Sequence, residues 1–256
     1  MSKLIRLYID PLAPSGAASG PFKNGLCLSL DSLQSHYLHQ VMRKRAGDAI
    51  EVFNGRDGAF RAHITQISRR EAVIELEQQV LAPIKVRPVT LCFAPLKRGP
   101  VETIVQKATE LGATQIQPVR TARTSANPVK QERLTSIMIE SAEQCERLSI
   151  PELLDEISLE TLVGRLDYPL VFADEEGMNE PDLAPPMLDI LSQRQNLGKD
   201  KIGILIGPEG GFAPDERRFL RSSEYIIPVS LGARILRADT AAIAALALLQ
   251  AMLDRE

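Results

Sequence analysis

Two glycine-containing stretches hold the residue types most able to do chemistry. The first, "KIGILIGPEGGFAPDE" at 201–216, is an apolar run that enters Gly207-Pro208-Glu209-Gly210-Gly211. Glycine permits backbone angles that other residues avoid and lets a ligand approach the main chain closely. The spacing is not that of a nucleotide-phosphate loop, because it has neither G-x-G-x-x-G nor a G-K-[ST] ending. Pro208 also lacks an N–H, which makes the loop a poor phosphate cradle. The second stretch, "SLGARILRADTAAIAAL" at 230–246, ends an apolar run at Leu231-Gly232 and then presents Arg234 and Arg237. Asp239 or Thr240 follows as the expected cap of a helix.

These loops need a frame. "VTLCFAP", "TQIQPV", "YPLVFAD", "KIGILIG" and "EYIIPVSLG" have the length and branched apolar content of strands. Between them, "PVETIVQKATELG" places Val101, Ile104, Val105, Ala108 and Leu111 on one helical face, with Gly112 as the stop. "QERLTSIMIESAEQCERL" does the same with Leu134, Ile137, Met138, Ala142, Cys145 and Leu148. Strands alternating with helices predict an α/β fold with a parallel sheet, and ligands collect at the carboxyl ends of such strands. The loops starting at Ala173, Gly207 and Leu231 are therefore the expected site. Only Thr240 and Gln250 interrupt the last helix, 240–253, so it must be covered all round: either it is central to the domain, or a second copy of the chain covers its outer face, which is the favoured reading.

Residues 1–80 read differently. "LIRLYI", "LCLSL", "AIEVFN", "AFRAHITQI" and "AVIELEQQV" are short strand patterns, and "NGRDG" at 54–58 is a hairpin connection. One helix interrupts them, with Asp31 or Ser32 as cap and Leu33, Tyr37, Leu38 and Val41 at helical spacing. Several short strands of this kind predict a small barrel. "LAPIKVRP" at 81–88 is the linker, so the expected domains are 1–80 and 81–256.

The 256 residues are 44% apolar and 25% charged, the balance of a soluble globular protein with a substantial core. Cys27, Cys92 and Cys145 form no C-x-x-C pair, and His36 and His39 lack a third ligand, so neither a disulfide framework nor a metal site is expected. The scattered cysteines point to a reducing cytosol and so to a cytoplasmic protein, and the apolar start "MSKLIRLYIDP", which carries Lys3 and Arg6 and is broken by Pro11, is unlike a secretory signal. Charge is uneven: residues 1–133 carry 19 Lys/Arg against 11 Asp/Glu, whereas residues 134–256 carry 11 against 22. A basic first half points to a polyanionic partner.

"IGPEGGF" followed by "LGARILRADTA", with "VQKATELG" and "AEQCER" upstream, closely resembles the RsmE-type family of 16S ribosomal RNA (uracil-N3) methyltransferases within the SPOUT superfamily. The resemblance covers the whole chain, including "HYLHQVMRKRAGDAIEVFNGRDG", which is similar to that family's PUA-like RNA-binding barrel. It implies a SPOUT methyltransferase domain with a trefoil knot, bound S-adenosyl-L-methionine, a homodimer, and 16S rRNA of the small ribosomal subunit as substrate, at uridine 1498. It also implies a cofactor site made of Phe172, Ala173, Ile206, Gly207, Pro208, Glu209, Gly210, Gly211, Ser230, Leu231, Gly232, Ile235 and Leu236. A sulfonium cofactor without phosphate suits a glycine loop that has a proline and no lysine.

Methylation at uracil N3 requires the N3 proton to leave, which spreads negative charge onto O2 and O4, and Arg237, then Arg234, are the candidates to stabilise that anion. Both could instead bind phosphate or pair with Glu209. Glu143 is a candidate proton acceptor, although Glu143 and Arg147 also have the spacing of a helix-surface ion pair. Arg43, Lys44, Arg45, Lys97, Lys107, Arg123 and Arg147 are the candidate RNA contacts. The family usually has Glu where this chain has Asp239. A related ribose 2′-O-methyltransferase and a non-catalytic RNA-binding assembly factor are the alternatives, and the first is disfavoured by the N-terminal barrel with "VQKATELG", the second by the intact glycine loop.

Overall fold

The computed structural model describes residues 4–11, 20–96, 98–124, 130–174, 184–193, 197 and 200–253. They form two compact units, 1–85 with 142–150, and 86–141 with 151–256.

In the first unit, β1 (Arg6–Tyr8), β2 (Cys27–Leu30), β3 (Ala49–Phe53), β4 (Ala59–Ile67) and β5 (Ala72–Leu81) make a sheet in the order β1-β3-β4-β5-β2. β1 runs parallel to β3 and the other pairs are antiparallel. Alternate side chains, among them Ile50, Val52, Ala62, Ile64, Ile74 and Leu76, point into one core with Leu28 and Leu38. The "NGRDG" turn is tied by its own side chains, as Asn54 Oδ1 accepts the N–H groups of Arg56 and Asp57. Burial raises the Asp57 carboxyl pKa, but hydrogen bonds from Arg56, from Asn54 and from the Phe22 N–H outweigh it and hold the group at about 2. An unfolded aspartate titrates near 4, so this contribution is present above about pH 4 and is lost as pH falls toward 2. Asp57→Asn is expected to flatten that part of the acid-unfolding curve, read by circular dichroism melts across pH.

Residues 142–150 were expected in the second domain and group with the first unit instead. The cause is Arg6, a buried guanidinium from β1. It holds Glu51 at 2.6 Å and donates to the carbonyls of Ala142 and Arg147 at 3.3 and 3.2 Å. A buried charge demands such partners, and carbonyls 136 and 141 residues away in sequence supply two of them, while the Glu143 carboxylate accepts the Tyr8 N–H at 2.9 Å.

The second unit is a parallel sheet in the order β12-β10-β11-β6-β7-β8, with β9 also on β7. Its strands are β6 (Val89–Phe93), β7 (Gln115–Arg120), β8 (Glu152–Leu153), β9 (Ile157–Ser158), β10 (Leu170–Ala173), β11 (Ile202–Ile206) and β12 (Ile226–Val229). The expected α/β parallel fold is thus present. A knot belongs to the path of the whole chain, which includes residues outside the described ones. Between and beside the strands lie α2 (Arg98–Glu110), α3 (Gln131–Gln144), α4 (Leu159–Gly164), α5 (Met187–Ser192), α6 (Pro214–Arg221) and α7 (Ala238–Leu253). α2 stops where expected: Gly112 has φ +84°, with Gly112 N–H on Thr109 O and Ala113 N–H on Ala108 O. α3 ends at Gln144, so Cys145 and Leu148 lie past it, and Arg147 is not one helical turn beyond Glu143.

The final helix departs from expectation in where it starts. It begins at Ala238, with the Arg237 carbonyl accepting the Ala241 N–H, so Asp239 is inside the first turn and not its cap. A carboxylate there still favours the positive end of the helix dipole. Of its large apolar side chains, Leu246, Leu249 and Met252 are buried. α2, α5 and β11 pack on it. The exposed positions are Thr240, Ala247 and Ala251, and Ile243, Leu248 and Leu253 keep part of their surface accessible in the single chain.

Candidate functional site

The carboxyl ends of β10, β11 and β12 meet around a cavity of about 760 Å³, within the range of small-molecule sites. One wall is Ile206 through Gly211, the second is Ser230, Leu231, Gly232 and the run from Arg234 to Ala238, and Ala173 and Asp174 form the third. Thirteen positions were expected to hold the cofactor, and twelve line this space. Phe172 does not. It is fully buried, edge-on to Phe212 with ring centroids 5.1 Å apart, because it points into the core.

The loop conformation explains its glycines. The Gly211 N–H bonds the Pro208 carbonyl at 2.9 Å, and Gly211 has φ +66°, a region that L side chains avoid. A Cβ on Gly207 would lie 2.6 Å from the Phe212 ring, so any larger residue would displace that aromatic support. Gly210 is different: a Cβ there meets only Arg123 at 3.7–3.8 Å, ordinary contact, and the residue faces the cavity.

Arg234 and Arg237 both line the cavity and are exposed, as does Ile235, which is 81% exposed. Arg123, read from the sequence as an RNA contact, is also in the cavity wall. Its Nη1 donates to the Gly210 carbonyl at 2.6 Å. Glu216 ties the same two loops, accepting the Ala122 N–H at 2.7 Å through one oxygen and the Ala213 N–H at 2.8 Å through the other. Three arginines therefore line this space together with Glu209 and Asp174, the Asp174 carboxylate itself being buried against Arg217 and Arg221.

Asp174 is the residue that sequence reasoning missed. It directly follows β10, is 3% exposed, and accepts from Arg217 Nε and Nη2 at 3.0 and 3.1 Å and from Arg221 Nη2 at 2.6 Å. The available signals were a carboxylate at the end of an apolar strand and two arginines four apart on the helix after the glycine loop. Nothing in their spacing joins the two.

The remaining candidates are dispersed. Glu143 belongs to the first unit, where its carboxylate accepts the Tyr8 N–H at 2.9 Å. Arg147 is half-buried there, with burial pushing its guanidinium pKa down. Lys107 pairs with Glu110 at 2.8 Å. Arg43, Lys44 and Arg45 follow the first-unit helix at the surface, and Lys97 lies outside the described residues. Among the described residues no cluster of His, Cys, Asp and Glu could hold a metal, and no helix is long and apolar enough to cross a membrane.

Residues 83–250 match the RNA methyltransferase domain family, and residues 30–77 match the RNA methyltransferase PUA domain. The chain belongs to the RNA methyltransferase family. It is 35% identical over 212 residues to ribosomal RNA small subunit methyltransferase E of Rickettsia conorii, covering 83% of this chain and 84% of that one. Among solved structures, the small subunit methyltransferase E of Neisseria gonorrhoeae, bound to S-adenosyl methionine, superposes with a TM-score of 0.80 at 25% identity, covering 98% of both chains. A methyltransferase of Legionella pneumophila with bound SAM gives 0.79 at 28% identity, again over 98% of both. The cavity described above thus lies in the methyltransferase domain, and the five-stranded unit contains the PUA match.

Proposed function

We propose that this chain transfers a methyl group from S-adenosylmethionine to N3 of a uracil in 16S rRNA of the small ribosomal subunit, in the cytoplasm, as a homodimer. The observation that carries the reading is the cavity at the ends of β10, β11 and β12, walled by two glycine loops and faced by three arginines.

The residues fit this donor. Ile206, Pro208, Leu231, Ile235 and Leu236 give apolar walls, and the glycine loops expose main-chain groups suited to an adenine and a ribose. When bound, S-adenosylmethionine supplies a methyl group on a sulfonium centre. The protein's task is then placement and charge stabilisation. Gly210 and Gly211 let the main chain approach the ligand, and Arg123 and Glu216 hold that loop in shape. Arg237, with Arg234 beside it, is assigned to the negative charge that spreads over O2 and O4 when the N3 proton leaves. Arg43, Lys44 and Arg45 hold RNA phosphates, so affinity falls steeply with salt.

Gly210→Val tests the site cleanly, because its first side-chain atom meets only Arg123 at ordinary distance. The fold should survive, and affinity for S-adenosylmethionine should fall about 10- to 100-fold, the scale of an overpacking penalty. Unchanged affinity by calorimetry would remove the cavity from the reading. Mass spectrometry of rRNA nucleosides from cells lacking the protein should show loss of one base-methylated uridine, and loss of a ribose-methylated nucleotide would contradict the proposed acceptor. Light scattering should give about twice the 28.2 kDa chain mass, and a fully active monomer would refute the dimer.

A further inference from the structure

The first-unit helix turns the unexpected face to solvent. It comprises an α-helical segment, α1 (Ser32–His36), continued by a π-helical turn over Tyr37–Val41. Asp31 caps it, accepting the Gln34 N–H at 2.7 Å while the Gln34 side chain returns to the Asp31 N–H. The sequence places Leu33, Tyr37, Leu38 and Val41 together at helical spacing. The structure buries Leu38 and Ser35 and leaves Leu33 80%, Tyr37 37%, Val41 59% and Met42 39% exposed. The π turn, with Met42 N–H on the Tyr37 carbonyl, adds a residue to the register. Single exposed apolar residues are ordinary, but four within ten positions on one short helix are a surface.

Two further features fall on the same segment. Arg43 has φ +52°, the left-handed position that closes helices and normally goes to glycine, and Lys44 N–H reaches back to the Leu38 carbonyl at 2.9 Å. Strained residues and π turns both concentrate where a surface is used. Arg43, Lys44 and Arg45 then continue the apolar stripe directly as a cationic run, and His36 is exposed on the helix itself. Apolar side chains leading into consecutive cations complement a strand of unpaired nucleotides, whose bases are apolar on their faces and whose phosphates are anionic. A second copy of the same face would bring like charges together.

We propose that the stripe of Leu33, Tyr37, Val41 and Met42 is a base-contacting surface for single-stranded rRNA, with splayed bases packed on Tyr37 and its aliphatic neighbours while Arg43, Lys44 and Arg45 take the adjoining phosphates. The inference rests on the reading that this unit binds RNA, and extends it by specifying unpaired RNA and naming the residues that touch bases. Apolar base contacts release no counterions, whereas each lost phosphate contact lowers the slope of log affinity against log salt by about 0.7 for a single strand.

Anisotropy titrations of the full chain across salt, with a short single-stranded RNA and with its duplex, test it. Tyr37→Ala, and separately Leu33→Ser with Val41→Ser, should weaken single-strand binding about tenfold at every salt, leaving the slope and duplex binding unchanged. Tyr37→Phe should restore affinity. Arg43→Gly should raise the melting temperature by relieving the left-handed arginine, yet weaken RNA binding and lower the slope. If the stripe variants, folded by circular dichroism, bind both RNAs like the parent while Arg43→Glu, Lys44→Glu and Arg45→Glu together weaken both, the stripe proposal is overturned and phosphate binding stands. If that charge reversal also changes nothing, RNA binding by this unit fails as well. A stripe variant that keeps RNA affinity but changes the sedimentation of the purified chain would assign the surface to self-association and overturn the proposal.

Discussion

Asp174→Asn is expected to destabilise the methyltransferase domain by about 3–5 kcal/mol, the cost of breaking a buried ion pair from one side. Asp174 is 3% exposed and its carboxylate faces two guanidinium groups, of which Arg217 is 8% exposed. The asparagine amide keeps the shape but not the charge, so Arg217 and Arg221 lose the anion that offsets their removal from water. The melting temperature should fall by roughly 10 °C for a domain of this size. Replacing Arg217 with Met in the same chain should recover part of the loss, since apolar groups of similar volume often substitute for a buried pair. A shift within about 0.5 kcal/mol would mean that the cluster is solvated and that the end of β10 is held by other contacts. Asp174 also lines the cavity, so affinity for S-adenosylmethionine is expected to fall in the same variant.

Arg237→Ala should lower kcat by about 10²- to 10³-fold while leaving affinity for S-adenosylmethionine near the parent value, the size seen when one preorganised donor to a developing anion is removed. Arg237 lines the cavity, is exposed, and contributes its carbonyl to the start of α7, so its side chain can be removed without opening the core. Arg237→Lys should retain part of the rate, because a point charge remains but the planar fork of donors is lost. A different role gives a different pattern: if Arg237 only holds a phosphate, KM for RNA rises, its salt slope falls by about 0.7, and kcat is unchanged. Single-turnover kinetics with saturating RNA separate the two outcomes, and the second would transfer the charge-stabilising role to Arg234 or Arg123.

Much of the frame was legible in the residues. Strand-length apolar runs at 89–93, 170–173, 202–206 and 226–229 became adjacent parallel strands, and the carboxyl ends of three of them carry the cavity. Gly112 stops α2 because its local geometry needs nothing beyond the helix itself. Less was legible where a side chain serves a distant partner. Glu143 read as a helix-surface or catalytic carboxylate, and its hydrogen bond from the N–H of Tyr8, far away in sequence, was not legible. Phe172 sits in the same four-residue strand as Ala173, but the pleat directs it into the core.

By itself, the sequence determined the periodicities, the turns and the caps, because these depend on residues within a few positions of one another. It therefore specified a parallel α/β domain, a strand-rich first unit and two glycine loops at strand ends. The tertiary structure alone decided which face of each amphipathic element is covered and by what. α7 is apolar all round by sequence, and only packing against α2, α5 and β11 determined that Leu246, Leu249 and Met252 are the side chains buried within one chain. The first helix has one apolar register by spacing, and only packing decided that Leu38 is buried while Leu33, Tyr37 and Val41 are left outside. Asp174 and Arg217 stand 43 residues apart, and their pairing arises because both are withdrawn from water at the same strand end. Desolvation depends on everything packed around a group, and that sum exists only once the chain has folded.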